Sequence, residues 1–382
     1  MARTDPRGVP FLDLMAQHRS LKEELVSVFA DALDHAAFVG GSQVEDFEKE
    51  FARFVGSACS VGVANGTDAL RLALIAMGVG PGSRVVTVPN TFIATTEAIS
   101  QVGASFDFVD VDPNTCLMDP NRLEDHLRTA FAGASGRPWP SVVVPVHLYG
   151  QCAEMDAITQ LARKYGLVVL EDAAQAHGAS HRGRNAGALG DAAAFSFYPA
   201  KNLGACGEAG AVTTDSPQVA EKVRMLRDHG QRVKYYHALE GYNARLDAIQ
   251  AGMLRIKLAH LEGWNAARRE IASFYDDAFG QVDWVRTVEI KPHNVSCYHL
   301  YVIHAPQRDA LQAYLKSVGI ATGLHYPLPL HLQPCYAHLG LGVGAFPNAE
   351  RSAAQLLSLP MFPELGLERA ERVVDAVRSF PG

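Results

Sequence analysis

The chain has 382 residues, 48% hydrophobic and 20% charged, with a net charge of −7 and a pI near 6.1. That length exceeds what one hydrophobic core usually serves, so two domains are expected, and the composition argues against disorder. The acidic balance gives no electrostatic reason to bind nucleic acid or an anionic membrane, and no apolar run approaches the ~20 residues of a membrane span.

The N-terminal MARTDPRGVP lacks the apolar core of a signal peptide. Six cysteines (Cys59, Cys116, Cys152, Cys206, Cys297 and Cys335) are scattered without a C-x-x-C pair. They fit free thiols in a reducing cytoplasm better than a disulfide framework or a zinc site. The 15 histidines include no H-E-x-x-H or comparable cluster, and no metal is expected.

The first helix is predicted from about Ser20, with Leu21, Leu25, Val28, Phe29 and Ala32 on one face. Phe38-Val39-Gly40-Gly41 ends it. Ser42 then opens a second helix through a capping box with Glu45, and Val44, Phe47, Phe51 and Phe54 form its apolar stripe. From there short apolar runs alternate with helices. Strands are predicted at Val61–Ala64, Arg84–Val88, Phe106–Val109, Val142–His147, Leu167–Glu171 and Ala192–Phe197. Helices are predicted at Thr67–Met77, Thr91–Gln101, Pro120–Thr129 and Met155–Lys164. Runs such as VVVPV and LVVLE are apolar on consecutive residues, which suits strands buried on both faces. The pattern is that of an α/β domain with a mostly parallel sheet, whose ligands bind beyond the C-terminal strand ends.

A strand at Gly210–Asp215 and a helix at Ala220–His229 follow. A long helical stretch, Arg245 to Phe279 with a break near Gly263, carries the chain out of the large domain. The remainder predicts a smaller α+β domain: strands near Val282–Ile290 and His299–His304, a helix at Gln307–Ser317, the segment Ile320–Tyr326, and helices near Ala349–Leu357 and Glu368–Phe380. The Pro-rich HYPLPLHLQP, His325 to Pro334, is a loop. The expected division is 1–262 and 263–382.

The chemistry concentrates in four places. Phe195 to Gly210, FSFYPAKNLGACGEAG, sets Lys201 between a strand end and a run of glycines. A lysine so placed can be desolvated, which lowers its pKa and makes the amine nucleophilic, as a Schiff-base lysine requires; the alternative is a surface lysine in a loop. Asp172 ends the strand LVVLED and faces the ligand crevice or caps the next turn. Gln175 and His177 follow it. Asn65-Gly66-Thr67-Asp68 joins a strand to a helix, where helix-start N–H groups and the Thr67 hydroxyl form an anion site or the helix is simply capped by Thr67 or Asp68. Ser196 adds a hydroxyl for the same anion. Phe92, in PNTFIATTEAI, could lie flat on an aromatic ring or pack in the core. No G-x-G-x-x-G is present, so a dinucleotide site lacks its fingerprint.

Taken in order, NGTDAL, NTFIAT, EDAAQAHGA and SFYPAKNLGA-x-GE-x-G resemble the sugar aminotransferases of the DegT/DnrJ/EryC1/StrS family, from FVGGSQVEDFEKEFARF to the C-terminal helices. The resemblance implies a fold-type-I scaffold using pyridoxal 5′-phosphate (PLP). It places Lys201 as the Schiff-base lysine and Asp172 at the pyridinium nitrogen. Gln175 falls near the ring hydroxyl, Phe92 on the ring, and Gly66, Thr67 and Ser196 at the phosphate. Asn243, in GYNARLDAIQAG, matches an asparagine that reaches the phosphate in the neighbouring subunit, so a homodimer with interface active sites is implied. SFYPAKNLGA and GLHYPLPLHLQPCY are most similar to enzymes that aminate C3 of nucleotide-linked 3-keto-6-deoxyhexoses, with an amino acid such as L-glutamate as donor. Tyr198, His325, Tyr326 and His331 are then expected near the sugar. A C4 aminotransferase, a UDP-linked substrate and a non-catalytic sensor are the alternatives.

Overall fold

The computed structural model describes residues 8–131 and 139–382, so most of MARTDPRGVP lies outside the described residues. Helix α1, Leu14–His35, starts six residues before the predicted Ser20 because the Asp13 carboxylate accepts the Ala16 N–H at 3.0 Å, an N-cap. Leu21, Leu25 and Ala32 are buried as expected, but Phe29 faces outward with Val26 and Leu33. Helix α2, Ser42–Val55, begins at the predicted residue without the predicted capping box. Gly41 is its N-cap, and the Glu45 N–H donates to the Gly41 carbonyl.

Strand β1, Cys59–Val63, leads into α3, Gly66–Ala76. Then come β2, Arg84–Thr87; α4, Ala94–Gln101; β3, Ser105–Phe108; α5, Pro120–Phe131; β4, Val142–Val143; α6, Met155–Tyr165; and β5, Val168–Asp172. The predicted strand Val142–His147 keeps only its first two ladder residues, because Pro145 has no N–H to donate. Its carbonyl still accepts the Asp172 N–H at 2.9 Å. A short hairpin, β6 (Ser180–His181) and β7 (Arg184–Asn185), precedes β8, Ala192–Ser196, and β9, Gly210–Thr214. Helix α7, Pro217–Arg227, starts on a Ser216 N-cap whose Oγ accepts the Val219 N–H.

Among the described residues these strands form a seven-stranded sheet in the order β1-β9-β8-β5-β4-β2-β3. The pairs from β8 to β3 are parallel and β9 is antiparallel to both neighbours, so the sheet is mostly parallel as predicted. Strand alternation sorts the core into two layers. Val86, Val169, Ala193 and Phe195 face α2 and α6, while Val85, Leu170, Ala192 and Ala194 face α3, α4 and α7.

After a hairpin of β10 (Gln231–Val233) and β11 (Tyr236–His237), the chain forms α8, Ala248–Leu258, and α9, Leu261–Phe279. The break falls at Ala259 and His260, not at the predicted Gly263. Gly263 is exposed inside α9, where glycine costs only about 1 kcal/mol relative to alanine. The C-terminal region contains β12 (Arg286–Thr287), β13 (Asn294–Val295), β14 (Tyr301–His304), α10 (Arg308–Ser317), α11 (Pro347–Gln355), β15 (Leu356–Leu359) and α12 (Gly366–Arg378). The predicted helix Ala349–Leu357 instead turns into β15, since LLSL is buried at every residue and pairs with β14. β13 pairs with β6, tying this region to the strand-rich half. A third apolar cluster joins Tyr275 and Phe279 of α9, Ile303 of β14, Leu357 of β15 and Val373 of α12. No helix among the described residues is long and apolar enough to cross a membrane.

Candidate active site

The C-terminal ends of β2, β4, β5 and β8, with the end of β1 that runs the same way, open on one cavity of about 860 Å³. Gly66, Thr67, Phe92, Asp172, Gln175, Ser196, Tyr198, Lys201, His325 and Tyr326 all line it. Segments scattered over 261 residues of sequence thus meet because a parallel sheet gathers its strand ends at one edge.

The Asp172 carboxylate is buried at the end of β5. Its Oδ2 accepts the Thr95 hydroxyl at 2.7 Å and its Oδ1 accepts the Ala174 N–H at 3.2 Å. Thr91 Oγ1 lies 2.9 Å from Thr95 Oγ1; since the Thr95 proton goes to Asp172, Thr91 donates to Thr95. Burial raises the Asp172 pKa, opposed by the Thr95 and Ala174 hydrogen bonds and by the nearby Lys201 charge.

Lys201 sits in a loop closed at both sides. Its N–H donates to the Tyr198 carbonyl, and the Ala205 N–H donates to the Phe197 carbonyl, each at 2.8 Å. A Cβ on Gly204 would lie 2.3 Å from the Pro199 carbonyl oxygen, so this close crossing needs glycine. Buried Lys257 donates from Nζ to the Gly204 carbonyl at 2.7 Å. Asn202 Nδ2 donates to the Cys297 carbonyl and to Asn265 Oδ1, both at 2.8 Å, which fixes the loop from the opposite side. Burial lowers the Lys201 amine to about 8, against the opposing pull of Asp172 and Cys297.

At the start of α3 the cap is Asn65, whose Oδ1 accepts the Asp68 N–H at 2.8 Å; neither Thr67 nor Asp68 serves. The first-turn N–H groups of Gly66 and Thr67 therefore remain available to an anion. A Cβ on Gly66 would lie 2.5 Å from Ser196 Cβ, so the absence of that carbon is what lets the start of α3 and the end of β8 touch.

Gln175 is held from both ends. Its Oε1 accepts the Tyr149 N–H at 2.7 Å, and its Nε2 donates to the Tyr326 hydroxyl at 3.3 Å. Phe92 precedes α4 and is 54% exposed, its ring centroid 5.6 Å from that of Tyr326. It is thus a free aromatic face at the cavity, not a core residue. Tyr198 is similarly open. His325 stacks on Phe11 and lies 2.9 Å from Ser358 Oγ through Nδ1; burial lowers its pKa to about 4, so it is neutral.

His331, expected beside the sugar, is not at this cavity. His331 points into the interior, with Nε2 3.0 Å from Glu350 Oε1 and its ring against Phe346. The Pro-rich loop turns at Leu330, which is buried and donates its N–H to the Pro89 carbonyl. His331 is therefore corrected from a sugar-facing to a packing residue. Asn243 is exposed and lines no part of its own chain's cavity. His177 is a core histidine between Phe195 and Phe197, held neutral by burial at about 3.

The structure adds residues that sequence reasoning missed. Thr95 holds Asp172, and its only signal was its position three residues after Phe92. His299 lines the cavity with Nδ1 3.1 Å from Asn202 Oδ1, and burial beside Lys201 keeps it well below the usual histidine range. Tyr149, which orients Gln175, carried no sequence signal.

These features fit PLP. A buried carboxylate with only hydroxyl and amide donors on it suits a cationic ring nitrogen, and no salt bridge to Asp172 occurs among the described residues. A desolvated lysine shares its cavity, and a helix start that cannot accept a Cβ suits a phosphate. The fold and site together define a fold-type-I, PLP-dependent aminotransferase. The chain belongs to the DegT/DnrJ/EryC1/StrS aminotransferase family, which it matches over residues 19–378. It is 44% identical over 377 residues to a pleiotropic regulatory protein of Geobacillus stearothermophilus, covering 98% of each chain. It is 42% identical over 379 residues to a dTDP-3-amino-3,4,6-trideoxy-alpha-D-glucose transaminase of Streptomyces venezuelae, covering 99% of this chain and 98% of that one. The crystal structure of S. venezuelae DesV superimposes with a TM-score of 0.93 at 43% identity, covering 97% and 98% of the two chains.

Proposed function

We propose that this enzyme transfers an amino group from an amino acid, with L-glutamate the expected donor, to C3 of a dTDP-linked 3-keto-6-deoxyhexose. The observation that carries this reading is one cavity holding both the Lys201 amine and the Asp172 carboxylate, walled by Tyr198, His325 and Tyr326. Its chain-long similarity to a dTDP-3-amino-sugar transaminase supports the sugar and the carbon.

PLP, when bound, supplies an electron sink for breaking a C–H bond next to nitrogen. Asp172 would hold the proton on its pyridine nitrogen. Gln175 would meet the ring hydroxyl, Phe92 would cover a ring face, and Gly66, Thr67 and Ser196 would hold the phosphate. Lys201, lowered to about 8 by burial, has a substantial neutral fraction at physiological pH. Its Nζ would take the α-proton of the amino donor and deliver a proton to C3 of the sugar in the second half of the cycle. Neutral His325 and the Tyr198 and Tyr326 hydroxyls offer the sugar uncharged hydrogen bonds.

Asn243 would reach the phosphate in a second copy of the chain. Its exposure outside its own cavity supports this, as do Val26, Phe29 and Leu33, which α1 leaves open at i, i+3, i+7 spacing. The six cysteines, all described, are unpaired, which supports a reducing, cytoplasmic compartment. Residues 1–262 and 263–382 form the two domains.

The test is to offer dTDP-, UDP- and GDP-linked 3- and 4-ketosugars with glutamate and identify products by mass spectrometry. Equal amination of 3- and 4-keto isomers would reject C3 specificity; no amination of any would favour a sensor.

A further inference from the structure

A second cluster of chemistry-bearing side chains lies outside the cavity, where the start of α6, the β6 strand and the segment entering β13 meet. Glu154 immediately precedes α6, His181 ends β6 and His293 immediately precedes β13. One ligand atom from each lies within 4.8 Å of the other two. His293 Nε2 is 2.9 Å from Glu154 Oε1, and the two imidazole rings are perpendicular with centroids 5.0 Å apart. None of the three lines the active-site cavity.

The state of His181 is the informative feature. The residue is 1% exposed, and its Nδ1 lies 2.8 Å from Asn294 Oδ1. The Asn294 amide cannot be turned over, because its Nδ2 donates to Gln151 Oε1 at 3.1 Å and to the Cys152 carbonyl at 2.9 Å, both acceptors. Its Oδ1 therefore faces His181, so Nδ1 carries the proton and donates. Nε2 of the same ring is buried with no hydrogen-bond partner. The Asp156 carboxylate faces it with Oδ2 3.6 Å away, beyond hydrogen-bond distance, and is held by Arg182 Nε at 2.8 Å. An imidazole whose far nitrogen is fixed by a side-chain oxygen and whose near nitrogen is buried without a hydrogen-bond partner is oriented as a metal ligand is.

We propose that Glu154, His181 and His293 form a binding site for a divalent transition metal, of the two-histidine, one-carboxylate kind that suits zinc. Nitrogen and carboxylate donors without sulfur match zinc, cobalt or nickel and disfavour calcium or magnesium. The metal takes the place of the hydrogen that His293 Nε2 shares with Glu154, which passes to Nδ1 of the same ring or to solvent. Glu154 and His293 are only half-buried, which leaves a way in and room for water as a further ligand. Bound metal ties the segment entering β13 to α6 and β6. That segment continues through Ser296, which donates to the Gly150 carbonyl at 3.0 Å, to His299 on the cavity wall.

The test uses the cofactor-loaded enzyme, freed of metal by a chelator and titrated with zinc against a chromophoric competitor. One zinc per chain is expected. His181→Ala and His293→Gln should each weaken its binding at least about 100-fold, and Glu154→Gln about 10–100-fold. X-ray absorption at the zinc edge should show nitrogen and oxygen ligands at about 2.0–2.2 Å. The thermal midpoint should rise with zinc in the parent enzyme and stay still in the histidine variants. His293→Gln changes a half-buried position, so it keeps the test intact if His181→Ala fails to fold. Uptake unchanged in His293→Gln, or sulfur in the zinc shell from exposed Cys206 or Cys335, would overturn the proposal, as would no uptake at all.

Discussion

The Thr95 hydroxyl donates to Asp172 Oδ2 at 2.7 Å and itself accepts from Thr91, so a two-threonine relay stands behind the strand-end carboxylate. A hydrogen bond to a charged group contributes about 1.5–3 kcal/mol. Its loss in Thr95→Val should raise the Asp172 pKa further, because that hydrogen bond favours the ionised carboxylate. Cofactor binding needs the carboxylate ionised, so affinity should fall off at higher pH in the variant as the solution is acidified. PLP titrations at stepped pH would check this, and coincident acid limbs would make Thr95 a packing residue. Asp172→Asn should retain the fold and much of the cofactor while slowing the glutamate half-reaction sharply.

Lys201 is lowered to about 8 by burial. In the cofactor-free chain its rate of acylation by an amine-directed reagent should therefore be half-maximal near pH 8, against about 10.4 for an ordinary lysine. The folded pKa lies below the unfolded one, so between these values the unfolded chain binds more protons and this group's contribution makes the fold more stable as pH rises. Lys201→Met should remove that component from the difference in stability between pH 8 and 10. Lys201→Ala should cut transamination by about 10²–10⁴-fold or more, because the nucleophile and the proton carrier go together.

Gly66→Ala would set a Cβ 2.5 Å from Ser196 Cβ, and Ser196→Ala does not remove that carbon. The double variant should therefore bind PLP no better than Gly66→Ala alone. Overpacking of this kind costs about 1–3 kcal/mol, or roughly 10–100-fold in cofactor affinity if it falls on the site. Equilibrium dialysis of the two variants would decide, and recovery in the double variant would point to the serine hydroxyl as the obstruction.

Asn243 tests the assembly. Mixing Lys201→Ala with Asn243→Asp should produce heterodimers with one doubly defective site and one intact site, so part of the activity returns. If subunit exchange is demonstrated and no activity returns, Asn243 does not serve a partner's site.

The alternation of apolar runs and helices, the lysine loop and the strand-end aspartate were all legible in the sequence, because each depends on neighbours within one element. LVVLED already held two carboxylates, and strand alternation sends them to opposite faces. Glu171 accepts the N–H groups of Gly187, Leu189 and Gly190, while Asp172 meets the cavity. The tertiary structure decided what no local pattern encodes. Thr95 reaches Asp172 across 77 residues. His325 enters the cavity and His331, six residues on, does not, since burial of Leu330 between them turns the loop. The helix break at His260, the strand at Leu356–Leu359 and the place of His299 were likewise set by packing. Propensity acts within a few residues at about 1 kcal/mol or less, and burial of several apolar side chains outweighs it.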